Sequence, residues 1–220
     1  MTQKAFIFDL DGVIVDTAKF HYLAWKKLAD DLGISFSEED NEQLKGVSRV
    51  RSLEIILQMG KVTMTDTEKT VHLAEKNEDY LSYIATMTSD DILPDVPRVL
   101  HFLKSHNIPM ALGSASKNAK QILAKVGLLE MFDAIVDGNE VSKAKPDPEV
   151  FLNAAAKLSA TPANCVVFED AIAGIQAANV AGMYSIGIGH REVLTEAKQV
   201  FKNFTEISTQ FLEHLIQKTA

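Results

Sequence analysis

The feature that most constrains the fold is an alternation along the chain between short apolar runs and longer stretches with helical spacing of apolar residues. The short runs, rich in β-branched and other apolar residues, are 4–10, 109–113, 134–136, 165–168 and 184–188. The helical stretches are 96–105, 118–126, 148–158 and 171–181, and Gly127 and Gly182 follow two of them, where a left-handed residue ends a helix. Strands that alternate with helices pair in parallel, so this order predicts an α/β fold with a doubly wound parallel sheet.

Residues 18–88 interrupt this alternation. They contain helical patterns at 21–32, 52–59 and 67–87, with Gly33 and Gly60 as expected helix stops, a polar loop at 44–51, and no convincing strand. The sequence therefore predicts an inserted α-helical cap over 18–88. Residues 1–17 and 89–220 then form the catalytic α/β core.

Composition excludes several classes of partner. The net charge is −8 and the pI is about 5.3, whereas a protein that binds nucleic acid needs surplus Lys and Arg. No run approaches the roughly 20 apolar residues of a membrane span, and the short apolar run before Asp9 is too short for a signal peptide. One cysteine, Cys165, rules out an intrachain disulfide. We expect a cytoplasmic monomer with no nucleic-acid or membrane partner.

A pair of carboxylates follows the first apolar run. Asp9 and Asp11 precede Gly12, and alternate side chains of an extended chain project to the same side. Two like charges this close need a cation or a shared proton, and Mg²⁺ suits carboxylates without neighbouring Cys or His. Taken alone, the pair is equally consistent with a simple Asp-Gly turn.

Three further segments place polar residues at the expected ends of other strands. Ser114 and Ser116 precede a helix start that suits phosphate. Lys145 stands before Pro146, which biases it to an extended conformation, and its ammonium can neutralise a phosphoryl group. Glu169 and Asp170 end another apolar run. Because parallel strands end at one edge of a sheet, these residues predict a single site.

This order of motifs resembles the haloacid dehalogenase superfamily over essentially the whole chain. The matching residues are Asp9, Asp11 and Gly12, then Ser114, Lys145, Glu169 and Asp170. The resemblance implies a central first strand and a helical cap inserted after it. It also implies that Asp9 is the nucleophile that forms an aspartyl phosphate and that Asp11 is the general acid and base. One Mg²⁺ per chain would be held by Asp9, the Asp11 backbone carbonyl and Asp170, with Glu169 beside it, and Ser114 and Lys145 would bind phosphoryl oxygens.

The cap residues resemble those of phosphomutases in this superfamily. That resemblance implies interconversion of β-D-glucose 1-phosphate and D-glucose 6-phosphate through β-D-glucose 1,6-bisphosphate, with sugar phosphates as the partners. Arg49 is the most informative residue, because a bisphosphate has a second phosphate far from the metal that an Arg fork can clamp. The implied phosphate and sugar contacts are Thr17, His21, Trp25, Lys45, Gly46, Val47, Arg49, Ser52, Lys76, Ser114, Ala115, Ser116, Lys117, Asn118 and Lys145.

Other interpretations remain open at this stage. His21 by itself reads as a surface histidine, Trp25 as a packing residue, and Lys45 and Arg49 as solvated charges. A sugar-phosphate phosphatase shares every core residue, with water as the acceptor. A non-catalytic phospho-acceptor switch also uses acidic strand ends, Mg²⁺, a hydroxyl and a Lys, but such modules lack a helical insertion. Ala171 departs from the Ser that often follows the acidic pair, and Gly113 from a common Ala.

Overall fold

The computed structural model describes residues 4–217 and contains a six-stranded parallel sheet in the order β3-β2-β1-β4-β5-β6. The strands are β1 (Ala5–Phe8), β2 (Met110–Gly113), β3 (Ala134–Val136), β4 (Cys165–Glu169), β5 (Tyr184–Ile188) and β6 (Gln199–Phe201). The α-helices are α1 (Ala18–Asp31), α2 (Glu38–Glu42), α3 (Arg49–Gly60), α4 (Asp66–Ile84), α5 (Val96–Ser105), α6 (Ala119–Lys125), α7 (Glu149–Lys157), α8 (Ile172–Val180) and α9 (Thr209–Gln217). The predicted α/β class is confirmed.

The strand β1 lies inside the sheet, between β2 and β4. Phe6 is opposite Met110 on one side and Val166 on the other. All five strand pairings are parallel, so the carboxyl ends of β1, β2 and β4 lie side by side at one edge. Ligands of open α/β sheets bind at that edge.

Helices cover both faces of the sheet. Phe6 and Phe8 belong to a buried cluster that includes residues of α5, α6 and α9, and the Phe8 ring stacks on Phe168 with centroids 5.0 Å apart. Ile7 belongs to a second cluster with residues of α7 and α8, such as Phe151. The alternation along β1 therefore separates two apolar layers, each closed by helices.

Residues 18–84 form four helices, and this described segment contains no strand. Trp25, Leu53 and Ile56 lie in a cluster of their own, whereas Tyr80 and Ile84 join the larger cluster of the sheet. The chain enters and leaves this segment by neighbouring paths, since Asp16 N donates to Asp91 O. The cap boundaries at 17/18 and 88/89 stay a prediction.

Several predicted helix bounds were wrong by a few residues. Helix α1 begins at Ala18 rather than 21, and α4 ends at Ile84 rather than 87. The predicted polar loop 44–51 is shorter, because α3 begins at Arg49. The side chain of Ser48 caps that helix by accepting from Arg51 N at 3.3 Å. Arg49 therefore lies in the capped first turn of α3.

One predicted helix stop was wrong. Gly60 lies within α3, and Lys61 takes the left-handed conformation with φ +53°. A Cβ on Gly60 would overlap the Ile34 side chain, so close packing is its structural role. Gly33, Gly127 and Gly182 do have positive φ, as predicted.

Three elements were missed. Helix α2 is five residues long and is held by a capping box between Ser37 and Asp40, a pattern that is visible in the sequence. Strand β6 has only three residues, all half-buried, which are too few to show the two-residue alternation of a strand. The amphipathic α9 follows it, with Leu212 and Leu215 buried. No helix among residues 4–217 is both long and apolar enough to cross a membrane.

Candidate active site

The candidate site lies at the carboxyl ends of three neighbouring strands. Asp9 follows β1, Ser114 follows β2, and Glu169 is the last residue of β4, with Asp170 next. Lys145 reaches the same place from the loop before α7, through a cis peptide bond to Pro146. The predicted convergence of these side chains is therefore present in the structure.

Lys145 is the ammonium at the centre of the site. Its Nζ lies 2.5 Å from Asp9 Oδ1 and 2.8 Å from Glu169 Oε2, and it donates to the Gly113 carbonyl at 3.2 Å. Burial by itself lowers the pKa of Lys145, but Asp9 and Glu169 outweigh it and raise that pKa above its usual range. The side chain is 1% exposed and carries a charge that is fully matched by carboxylates.

Three carboxylates lie close to one another at this site. One oxygen from each of Asp9, Glu169 and Asp170 lies within 4.8 Å of the others. Burial raises the pKa of Asp9 to about 7, against the opposing effect of Lys145. Burial, with Glu169 and Asp9, also raises the pKa of Asp170 well above its usual range. Two ammonium groups serve these three carboxylates, Lys145 and the cap residue Lys45, whose Nζ lies 3.8 Å from Asp170. Excess negative charge remains, so the residues fit a metal ion held by oxygen ligands.

Two glycines make room for the acidic pair. Gly12 has φ +78°, and a Cβ there would overlap Asp170 Oδ2. A Cβ on Gly174 would overlap the Glu169 carboxylate. Glu169 Oε1 accepts from the backbone N–H groups of Asp170 and Ala171, at 3.1 and 3.0 Å. The Glu169 carboxylate is thus held by two backbone N–H groups. The two glycines let the backbone pass close to both carboxylates, where a side chain would not fit.

Asp11 has different partners from Asp9. Its Oδ1 accepts a hydrogen bond from Thr17 Oγ1 and lies 3.7 Å from His21 Nε2. Burial opposes ionisation of Asp11, but His21 and Thr17 outweigh it and lower the pKa of that carboxyl. Burial and Lys76 in turn lower the pKa of His21. Asp11 is therefore a carboxylate held by residues at the start of the cap.

Lys76 lies under aromatic rings in the cap. Its Nζ is 3.4 Å from His21 Nδ1, 4.3 Å from the centroid of the Trp25 ring and 4.8 Å from that of Tyr80. Burial and the neighbouring Arg49 lower the pKa of Lys76 to about 7. Burial also lowers the pKa of Arg49. Within residues 4–217, neither cation forms an ion pair with a carboxylate.

The loop before α3 brings the cap to the acidic cluster. Lys45 Nζ lies 2.8 Å from Glu42 and 3.8 Å from Asp170 Oδ2. A Cβ on Gly46 would be 2.7 Å from Ala171 Cβ, so the loop backbone rests on the core at that point. Val47 is half-buried in the same loop. Ser52 is buried within α3, and its hydroxyl donates to Ser48 O at 3.2 Å rather than into the site.

The segment after β2 forms the opposite wall. The Ser114 hydroxyl is buried and accepts from Ser116 N at 3.0 Å, while Ser116 Oγ accepts from Asn118 N at 3.3 Å. Asn118 Nδ2 donates to Asn77 Oδ1 at 3.1 Å and so joins this wall to α4. Two other predicted residues of this segment differ in exposure: Ala115 is half-buried and Lys117 is exposed.

Sequence reasoning missed Tyr80 and Asn77. Tyr80 is 1% exposed and stacks on His21 with ring centroids 4.3 Å apart. It stands four residues after Lys76, and that spacing places both on one helix face, so the pattern could have indicated it. Nothing in the sequence marks Asn77.

The fold and the arrangement of these side chains point to a protein family. A family model for haloacid dehalogenase-like hydrolases matches residues 3–182. The chain therefore belongs to the haloacid dehalogenase-like hydrolase family.

Within that family the similarity extends to β-phosphoglucomutases. The β-phosphoglucomutase of Bacillus subtilis is 44% identical over 212 residues, which cover 96% of this chain and 94% of that protein. The crystal structure of β-phosphoglucomutase from Clostridium difficile superposes with a TM-score of 0.93 at 44% identity, and 97% of each chain is covered. A phosphorylated carbohydrates phosphatase of Thermotoga maritima is 31% identical over 86% of both chains.

Proposed function

We propose that this protein is a phosphomutase that interconverts β-D-glucose 1-phosphate and D-glucose 6-phosphate through β-D-glucose 1,6-bisphosphate. The observation that carries the proposal is a second cationic centre, Arg49 and Lys76 in the cap, apart from Lys145 at the strand ends. A bisphosphate needs two such centres, whereas water as acceptor needs only one. The similarity to β-phosphoglucomutases supports the same reaction.

Asp9 is the proposed nucleophile. Its carboxylate attacks the phosphorus of the bisphosphate, the bond to the sugar oxygen breaks, and an aspartyl phosphate and a sugar monophosphate result. Lys145 lies 2.5 Å from Asp9 and is positioned to neutralise phosphoryl oxygens, with the buried Ser114 hydroxyl beside it. Such fixed charges in a buried site supply most of the acceleration of phosphoryl transfer.

Asp11 is the proposed general acid and base. It gives a proton to the departing sugar oxygen when Asp9 is phosphorylated, and takes one from the attacking hydroxyl when the phosphoryl group leaves Asp9. Its contacts with Thr17 and His21, which stand where the proposed cap begins, support this role. Because the same group serves in both directions, and the bisphosphate can turn over between the two transfers, the sugar can leave with the phosphate on either of its oxygens.

Mg²⁺ is the proposed metal. The carboxylates of Asp9 and Asp170 and the backbone carbonyl of Asp11 would hold it, with Glu169 beside them, in agreement with the close oxygen cluster. When bound, the ion supplies neutralisation of charge on the transferring phosphoryl group. Lys145 is also paired with Glu169 at 2.8 Å, which balances the charge of that carboxylate.

Arg49 and Lys76 are proposed to bind the phosphate far from Asp9. Lys76 is buried and Arg49 is half-buried, and neither forms an ion pair with a carboxylate in the described chain, so an anionic ligand relieves the cost of removing their charges from water. The remaining contacts to phosphate or sugar are proposed for Thr17, His21, Trp25, Lys45, Gly46, Val47, Ser52, Ala115, Ser116, Lys117 and Asn118. The segments near Thr17 and Asp90 would be the hinges on which a cap over residues 18–88 closes and excludes water. We further propose that the enzyme acts as a cytoplasmic monomer.

A coupled assay tests the reaction. The protein is incubated with Mg²⁺, β-D-glucose 1-phosphate and a trace of the bisphosphate, and both glucose 6-phosphate and free phosphate are measured. We expect glucose 6-phosphate without stoichiometric release of phosphate. Rapid release of phosphate instead would make the protein a sugar-phosphate phosphatase, in line with the Thermotoga relative.

A further inference from the structure

The hydroxyl of Tyr80 is a buried polar group that the proposed reaction does not yet use. Tyr80 is 1% exposed, and among residues 4–217 its oxygen forms no hydrogen bond of acceptable geometry, although Thr17 lies near enough to act on it. A buried hydroxyl that lacks a partner costs free energy, whereas a Phe at this position would keep the ring and avoid that cost. The presence of the oxygen therefore calls for a second arrangement of the site in which it is bonded.

Tyr80 lies close to the proposed general acid, Asp11, and to the residues that contact it. The Tyr80 ring stacks on His21, whose Nε2 is 3.7 Å from Asp11, and Lys76 Nζ lies 4.8 Å from the ring centroid. Burial raises the pKa of the Tyr80 phenol well above its usual range, and Thr17 lies close enough to lower it. The phenol is therefore neutral and next to the hydroxyl that donates to Asp11.

Transfer of a proton by Asp11 requires that this carboxyl reach the oxygen on the phosphorus at Asp9. Asp11 is instead held here by Thr17 and His21, both on the cap side. When Asp11 turns toward the reacting atoms, the fully buried Thr17 hydroxyl loses its acceptor. A new acceptor within the same pocket lowers the cost of that movement.

We propose that Tyr80 is a positioning residue: its buried hydroxyl accepts the hydrogen bond of Thr17 when Asp11 leaves Thr17 for the reacting phosphoryl group. This exchange of hydrogen bonds keeps Thr17 from bonding to Asp11 again. It therefore favours the position in which Asp11 transfers a proton to the reacting oxygen. It rests on the proposed role of Asp11 as general acid, which both a mutase and a phosphatase of this family would use. It assigns no contact between Tyr80 and the substrate.

The test compares Tyr80→Phe with Tyr83→Phe, which makes the same chemical change on the same helix at a half-buried residue stacked on Phe20. Turnover is measured in whichever reaction the wild-type protein performs, mutase or phosphatase, so that failure of the proposed mutase activity is seen separately in the wild type. For Tyr80→Phe we expect kcat to fall about tenfold, the worth of one hydrogen bond, with KM within about twofold. Thermal stability of the ligand-free variant should be equal to or higher than that of the wild type. Tyr83→Phe should leave kcat unchanged.

A double variant identifies Thr17 as the partner. In the Thr17→Val background the further change Tyr80→Phe should have no effect on kcat, because the hydrogen bond is already absent. The proposal is overturned if Tyr80→Phe leaves kcat within about twofold of wild type, if its effect adds in full to that of Thr17→Val, or if the loss of activity follows a loss of stability.

Discussion

The two sides of the site differ in how their charges are balanced. On the core side, Lys145 is paired with Asp9 and Glu169 at 2.5 and 2.8 Å, and carboxylates are in excess. On the cap side, the buried Lys76 lies near the half-buried Arg49, and neither forms an ion pair with a carboxylate in the part of the chain that the structure describes. The core side thus needs a cation to be complete and the cap side needs an anion. The proposed reaction would supply both, with a metal ion on the core side and a bisphosphate held between the two sides.

Removing the proposed nucleophile, Asp9, should have the largest effect. Asp9→Asn keeps the shape but not the nucleophilic oxygen, so we expect phosphoryl transfer to fall by at least about 10⁴-fold, as when other nucleophiles are replaced. No phosphorylated protein should be detected by mass spectrometry. Asp16→Asn is the matched control, because Asp16 is exposed on the same loop. More than about 1% residual turnover would show that Asp9 is not the nucleophile, and the core side would then lack its proposed reactive group.

Removing the metal should have the next largest effect, also on the core side. A chelator should lower turnover by at least about a hundredfold, because the ion supplies several kcal/mol of charge stabilisation in the reaction. Mg²⁺ should raise the midpoint of thermal unfolding of the wild type, since a ligand of the folded state stabilises it. The rise should be much smaller in Asp170→Asn and intact in Asp90→Asn, which changes an exposed residue. An equal rise in both variants would place the ion elsewhere.

A change on the cap side should separate the mutase from a phosphatase. Arg49→Ala should lower kcat/KM for glucose 1-phosphate by about a hundredfold, the worth of a charge-assisted clamp. Hydrolysis of a small phosphate monoester should change by less than about threefold, because the small ester does not reach the cap. Arg51→Ala is the control: it lies on the same helix and pairs with Glu54 at 3.0 Å. Equal losses for both substrates would mean that Arg49 supports the chemical step rather than the distant phosphate.

The smallest effect concerns pH and Lys76. Its pKa is about 7 in the folded protein and 10.5 in the unfolded chain, so the unfolded state binds more protons between these values. The free energy of unfolding should therefore rise with pH across about pH 7–10, by at most about 1.4 kcal/mol per unit. The rise should be absent in Lys76→Met and present in Lys69→Met on the same helix. Saturating bisphosphate should also abolish it, because bound phosphate keeps Lys76 charged. The same slope in Lys76→Met would show that another group causes it.

Much of the fold was predictable because it depends on local patterns. The parallel sheet follows from apolar runs that alternate with helical spacing, and the central place of β1 followed from the family resemblance. The short elements α2 and β6 were missed, since five or three residues carry too little periodicity. Gly60 was misread because its role is contact with Ile34 from another part of the cap. Such a contact leaves no mark in the neighbouring sequence.

By itself, the sequence determined which chemical groups stand at the strand ends and that a helical segment follows the first of them. These are properties of short stretches, which hydrophobic period and turn chemistry specify. The tertiary structure alone decided which charges are paired, because Lys145 meets Asp9 across 136 positions of chain and Glu169 across 24. It also decided that the buried Lys76 and the half-buried Arg49 form no ion pair with a carboxylate of residues 4–217, and that Tyr80 lies against His21. Distance and burial set the strength of every electrostatic interaction, and both arise only when the chain has folded.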